Sequence, residues 1–195
     1  MRKATLNDHG DVADALTSAF LNDPLFIWMM RTSRGREQRM RSFFKLTVAA
    51  ELAKQIIEVY VTDDGSGAAV WRGEGDRGMS RLEQLRSAPT LVRIFGSGSG
   101  RSFRASVAME KVHPAEPHRY LSLLGVHQAS RGQGLGSTLL APALESSDAE
   151  GLPAYLENSN PANTAFYARH GFVQRGTIIL PKGAPPLIPM WREPR

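Results

Sequence analysis

The 195-residue chain contains no cysteine. That absence excludes disulfides, thiolate metal sites and cysteine nucleophiles together, and it fits a cytoplasmic location. No metal site is expected. No run of about eighteen apolar residues occurs, so no transmembrane helix and no membrane partner are expected. The opening residues, MRKATLNDHGDV, carry charge but no apolar signal core, so export by that route is not expected either. No internal repeat is visible. Apolar residues make up 42% of the chain. At this length that is enough to bury a core, and a single domain over residues 1–195 is expected.

Charge is present in excess of one sign, with a formal net charge of +5. Arginine is concentrated in one block, RTSRGREQRMR, from Arg31 to Arg41. Such a block reads as a patch for nucleic acid or another anion. It also reads as the solvated face of a helix whose other face carries Met40, Phe43, Phe44 and Val48. No aromatic-basic recognition motif accompanies it, which favours the solvated face and no nucleic-acid partner.

The periodicities give a coarse order of elements. RKATL reads as a short strand, and Asn7 and Asp8 as N-caps for a helix with Val12, Ala15, Leu16 and Phe20 on one face. NDPLFIWMM is an apolar turn and helix. A longer helix is predicted from about Gly35 to Lys54. IIEVYVT and GAAVW flank DDGSG, a hairpin signal. GEGDRGMS (73–80) reads as a loop, and SRLEQLR and TLVRIF as two short helices. GSGSG (96–100) reads as a hinge or mobile loop. FRASVAMEKVH is a helix that ends before Pro114. YLSLLGV is then a strongly apolar strand, followed by a glycine-rich stretch and a helix to about Glu150. AYLEN is a strand, NTAFYARHG a helix stopped by Gly171, and FVQRGTIIL and IPMWRE are two final strands. This alternation argues for an α/β or α+β fold with a mixed sheet.

The glycine-rich stretch RGQGLGSTLL (131–140) carries most of the functional signal. A helix leaves its first N–H groups unpaired, and its dipole is positive there. Glycines just before the first turn let a ligand approach the backbone. A strand, a glycine-rich loop and a helix N-terminus therefore form a phosphate cradle. A purely structural turn is the other reading. The Walker pattern fails because no lysine follows Gly136, and the dinucleotide fingerprint fails at Ser137.

Arg131-x-x-Gly134-x-Gly136 resembles the Q/R-x-x-G-x-G/A motif of the GNAT N-acetyltransferases. NPANTAFYARHGF (160–172) resembles that family's downstream asparagine loop, helix and Tyr-x-x-x-Gly-Phe ending. The likeness is clear from about Tyr120 to Phe172, and LGSTLLAPALESSDAEGLPAYLENS looks closest to the puromycin N-acetyltransferase-like branch. That branch also carries a proline where Pro142 interrupts the expected helix, so a kink is expected there.

The resemblance implies a mostly antiparallel sheet flanked by helices, with a splayed central strand pair. It implies acetyl-CoA as co-substrate and transfer of its acetyl group to a primary amine of a small molecule. It places the coenzyme against Arg131, Gly132, Gln133, Gly134, Leu135, Gly136 and Ser137. The amides of Leu124, Gly125 and Val126 would serve the thioester and the pantetheine arm, with Gly125 as a bulge residue. Tyr167 would protonate the departing thiolate. Glu157 is the candidate base, with capping or ion pairing as its structural alternative; His113, His127 and Glu110 are weaker candidates. Asn160 and Asn163 are both candidates for coenzyme contact, with Asn163 favoured. Phe26, Trp28, Tyr60 and Trp71 are candidates for the acceptor pocket. Three alternatives stay open: an acyl-CoA sensor without transfer, a protein lysine or N-terminus as acceptor, and a nucleic-acid-associated role for the arginine block. Either a monomer or a homodimer is compatible.

Overall fold

Among the described residues, seven strands form one mixed sheet in the order β1-β2-β3-β4-β5-β7-β6. They are β1 (Arg2–Lys3), β2 (Ile57–Val61), β3 (Gly67–Arg72), β4 (Arg119–Val126), β5 (Ala154–Asn158), β6 (Val173–Gln174) and β7 (Ile188–Arg192). The helices that accompany them are α1 (His9–Phe20), α2 (Pro24–Met29), α3 (Arg36–Leu52), α4 (Arg81–Phe95), α5 (Ser99–Val112), α6 (Leu135–Glu150) and α7 (Thr164–Arg169). The computed structural model describes residues 1–54, 57–74, 81–181 and 183–195, and not the side chains of residues 81 and 84. Most of the loop expected at 73–80 therefore lies outside the described residues.

All adjacent strands pair antiparallel except β4 and β5, which run parallel. The sheet separates two apolar layers. On one face α1, α2 and α3, with residues of α4 and α5, cover Val59, Val61, Ala68 and Val70. On the other, α6 and α7 cover Ala69, Trp71, Leu121 and Leu156. Burying these side chains is the main favourable term, at about 25 cal/mol per Å² of apolar surface.

Of the arginine block, Arg36, Arg39 and Arg41 stand on α3, while Arg31 and Arg34 are exposed in the segment before it. Met40, Phe44 and Val48 are fully buried. Arg41 pairs with Asp14, Arg36 donates to the Met30 carbonyl, and Arg39 donates to the Thr32 carbonyl.

Three local expectations are corrected. Of SRLEQLR, Ser80 lies outside the described residues; residues 81–86 and TLVRIF form one helix, α4, which runs through Pro89. Proline disfavours helix for the residue before it, and here the longer element overrides that preference. GSGSG is not a mobile loop: Gly96–Gly98 form a 3-10 turn that leads straight into α5. A Cβ on Gly98 would lie 1.9 Å from the Met29 carbonyl oxygen, so glycine serves close packing against the end of α2. The third correction concerns Gly125. The bulge in β4 lies at Ser122, where the register passes from Val70↔Leu123 to Trp71↔Leu121. Gly125 stays in register with Ala68, and its absent side chain makes room for α1. A Cβ there would meet Ala19 Cβ at 2.8 Å and Leu16 Cδ2 at 3.0 Å.

Gly125→Ala is therefore expected to destabilise the fold by about 1–3 kcal/mol, the usual range for overpacking. A denaturant titration checks it, as a lowered midpoint with an unchanged slope. An unaltered midpoint would mean that α1 yields without cost.

Candidate active site

The parallel pair β4 and β5 stays together for only three residues. Its register ends at Leu121↔Leu156. Beyond that, β4 continues to Val126 bound to β3 alone, and β5 continues to Asn158 bound to β7 alone. A wedge opens between them. Antiparallel pairing fixes which groups face it. His127 N–H donates to the Ser66 carbonyl, so His127, Gly125 and Leu123 direct their backbone groups to β3. Alternation along the strand then directs N–H and C=O of Leu124 and Val126 into the wedge. Of the three amides expected from the sequence, Gly125's belongs to the β3 ladder.

At the mouth of the wedge the chain turns into α6. Gly132 and Gly134 have φ of +79° and +80°, a region that L side chains rarely adopt. The backbone amides of Gly132 through Gly136 donate to no acceptor among the described residues. They form a preorganised set of donors at the positive end of a 16-residue helix. Gly136 has a separate role. A Cβ there would come within 3.1 Å of the Phe166 ring, so glycine lets α7 close against the first turn of α6. Ser137 Oγ hydrogen-bonds His170 Nε2 at 2.9 Å and ties the same two helices. Burial, then the positive charges of Arg169 and Arg192, lower the His170 pKa and favour its neutral form. Arg131 donates to the Ala19 carbonyl and fastens the loop to α1.

The first turn of α7 lies beside the wedge. Asn160 caps the preceding 3-10 turn through Ala162 N–H. Asn163 is exposed on the cleft. Tyr167 is buried. Burial, and then the negative charge of Asp23, push its pKa above the ordinary tyrosine value. Asp23 is itself buried, caps α2 through the amides of Leu25 and Phe26, and accepts a 2.6 Å hydrogen bond from Ser159 Oγ. Desolvation raises its pKa.

Across the wedge stands Glu157. Its carboxylate side chain is only 2% exposed, while the residue as a whole is half-buried, so what it exposes is main chain. Tyr120 Oη donates to Oε2 at 2.8 Å and Tyr155 Oη to Oε1 at 3.2 Å. Both phenols have pKa values raised, first by burial and then by the Glu157 charge. They remain neutral donors, and the carboxylate is held from two sides. His113 Nδ1 lies 3.6 Å from Oε1. The Arg72 guanidinium sits over the Tyr120 ring, 5.8 Å from its centre.

One cleft of about 2000 Å³ joins these groups. It is lined by Leu124, Gly125, Val126, Arg131, Gly132 and Gly134–Ser137, by Asn160, Asn163 and Tyr167, and by Glu157. Gln133 does not line it. The same cleft has an apolar lining of Phe26, Phe43, Leu91, Phe95 and Phe103, and Glu110 and His113 also line it. Of the acceptor-pocket candidates only Phe26 is there. Tyr60 and Trp71 are core residues on the α6–α7 face, and Trp28 does not line the cleft. His127 caps the 3-10 turn at Gln128–Ser130. Sequence reasoning passed over Asp23, Tyr120, His118 and His170. Asp23 carried a signal, an N-cap aspartate before a proline. Tyr120 and His170 are defined by partners 37 and 33 positions away; His118 meets Glu116 and His113, two and five positions away, without a motif to announce it. Among the described residues no group of histidines and carboxylates could hold a metal ion, and no helix is long and apolar enough to cross a membrane.

The cradle, the open edge of β4 and the long cleft fit a diphosphate-bearing thioester. Comparison with known proteins agrees. The model of the acetyltransferase (GNAT) family matches residues 79–172. An N-acetyltransferase of Schizosaccharomyces pombe, described as uncharacterized, is 28% identical, with 99% of this chain and 83% of that protein covered. A Corynebacterium glutamicum structure described as histone acetyltransferase HPA2 and related acetyltransferase is 28% identical. It covers 100% of this chain and 95% of its own, with a TM-score of 0.71. The PaiA N-acetyltransferase of Thermoplasma acidophilum, solved in complex with coenzyme A, is 14% identical and shares the fold, with a TM-score of 0.61 and 98% and 96% of the two chains covered. The splayed β4–β5 pair, the glycine-rich entry to α6 and these matches show an acetyl-CoA-dependent acetyltransferase with a GNAT-type fold, whose residues 79–172 match the GNAT family model.

Proposed function

We propose that the acceptor is a small molecule carrying a primary amine on an apolar body. The carrying observation is that one cleft is lined by the α6 cradle, by Tyr167 and Glu157, and by Phe26, Phe43, Phe95 and Phe103. Phe26 and Phe95 are buried in its wall, whereas Phe103 is 66% exposed at its rim. An apolar body against this lining would gain about 25 cal/mol for each Å² removed from water.

In this reading the tasks divide among the groups of the cleft. The amides of Gly132 through Gly136 hold the pyrophosphate. The amides of Leu124 and Val126 hold the pantetheine arm and donate to the developing oxyanion. A preorganised donor of that kind contributes about 3 kcal/mol. Glu157 takes a proton from the acceptor's ammonium and leaves a neutral amine. That amine forms the new bond to the acetyl carbon as the carbon–sulfur bond breaks, and the second proton its nitrogen then loses ends on the departing sulfur, giving the amide and the free thiol. Tyr167 donates to the sulfur as negative charge collects there. Its raised pKa makes it a poor acid for early transfer and a steady hydrogen-bond donor for the departing thiolate. Asn163, exposed at the cleft, is the better placed asparagine for the coenzyme, since Asn160 spends its carbonyl oxygen on a cap.

The test is a panel of amines with acetyl-CoA, followed by release of free thiol. Short polar amines, amines with aryl or alkyl bodies, and lysine-bearing and N-terminal peptides are compared. Faster transfer to apolar primary amines is expected. Preference for peptides would move the acceptor to proteins, and tight coenzyme binding with no transfer to any amine would make the protein a sensor.

Gly134→Val tests the cradle. Valine would have to adopt φ near +80° and would set a branched side chain where a phosphate approaches. Coenzyme affinity measured by calorimetry is expected to fall at least about tenfold, or 1.4 kcal/mol. Unaltered affinity would place the pyrophosphate elsewhere.

A further inference from the structure

We infer that His113, held in one tautomer by His118, relays the proton from Glu157 to solvent. The inference rests on Glu157 as the base. It starts from a short contact outside the groups used so far. His118 Nδ1 lies 2.6 Å from the Glu116 carbonyl oxygen. A carbonyl only accepts, so Nδ1 carries the hydrogen. Burial favours the neutral form of His118, which leaves its Nε2 as a bare acceptor. That nitrogen faces His113 Nε2 at 3.2 Å. His113 Nε2 must therefore donate. In neutral His113 the remaining nitrogen, Nδ1, has a free lone pair, and this is the atom 3.6 Å from Glu157 Oε1. One backbone carbonyl thus sets two tautomers in turn and leaves a proton acceptor directed at the catalytic carboxylate.

The surroundings hold this arrangement. Tyr120 and Tyr155 meet the His113 ring edge-on, with centroids 4.9 and 5.2 Å away. Trp191 and Tyr155 flank His118 at 5.6 and 5.4 Å. Of the charged groups about the pair, Glu116 and Glu157 oppose the effect of burial on His118, and Arg72 stands behind Tyr120. The two phenols already donate to Glu157, so once it is protonated His113 Nδ1 is the nearby base. The separation exceeds a hydrogen bond by about 0.4 Å, a gap that a ring rotation or one water spans.

Protons balance as follows. Glu157 removes one from the ammonium and becomes a neutral acid. Its O–H gives that proton to His113 Nδ1, which restores the carboxylate and makes an imidazolium beside it. The His113 side chain is 31% exposed and releases the proton to water. His118 makes no contact with the reacting atoms and is a positioning residue.

Two measurements decide the matter. The first needs no acceptor. Ring-nitrogen NMR of the wild-type protein, with its five histidines, should show His118 with its proton on Nδ1 and His113 with its proton on Nε2 at high pH. His118 in the Nε2–H form overturns the lock. The second is kinetic. His113→Ala should lower kcat/KM by about tenfold or more at neutral pH, and added imidazole should restore part of that loss. Imidazole should do nothing for Glu157→Gln, which has lost the first proton acceptor. An unchanged His113→Ala rate, or a defect that imidazole does not relieve, overturns the relay. Failure of every amine in the panel would strike the acceptor assignment instead, and the NMR result would still judge the lock.

Discussion

Tyr167→Phe is expected to slow acetyl transfer by about 100-fold, or 2.7 kcal/mol, with coenzyme affinity nearly unchanged. Phenylalanine fills the same buried space against Phe166 and Phe172, so α7 keeps its packing. What disappears is one hydroxyl, whose proton is held by burial and by the charge of Asp23. A thiol like that of cysteine has a pKa of about 8.5. The thiolate is therefore a tolerable leaving group even without help, which limits the loss. The measurement that separates this role from a packing role is the leaving-group dependence. Thioesters with more acidic thiols should show a smaller gap between wild type and variant. Equal turnover of the two proteins would remove Tyr167 from the chemistry. An equal gap for all thiols would leave it only a structural part.

The parts of the site that one stretch of chain builds by itself were legible in the sequence. The cradle is local: a strand, two glycines at positive φ and a helix start lie within twenty residues. Its chemistry follows from backbone groups, so side-chain partners need not be known. Tyr167 was legible through its motif. Its environment was not, because Asp23 comes from α2 and no periodicity links residues 144 positions apart. The same holds for Glu157. Its place at the end of a strand could be read, but the two phenols and the imidazole around it arrive from β4, β5 and the end of α5. Glycine roles illustrate a second limit. Gly125 and Gly98 look like a bulge and a hinge because glycine is conformationally free. The structure uses them for the opposite quality: each is small where another backbone or helix presses close. Sequence alone states that a position lacks a side chain. Only the packed neighbours state whether freedom or space is the reason.

Glu157→Gln is expected to have the largest effect, a loss of about 100- to 1000-fold in kcat/KM near neutral pH. Glutamine keeps the shape, and its carbonyl oxygen still accepts from one phenol. Its amide nitrogen then faces the other phenol's oxygen, a serviceable pairing, so thermal stability should change little. The variant lacks any atom able to take the ammonium proton. It must wait for amine already neutral in solution, and an alkylamine with a pKa near that of lysine, about 10.4, is neutral only about once in 2500 molecules at pH 7. This fixes the form of the pH dependence as well as its size. In the variant, kcat/KM should climb about tenfold per pH unit until the amine's own pKa is approached. In the wild type it should level off earlier, because the carboxylate removes the proton within the complex. The two curves should therefore converge at high pH. Parallel curves, offset by a constant factor, would show that the carboxylate orients the acceptor without accepting its proton. Coincident curves would remove Glu157 from the reaction and, with it, the relay through His113.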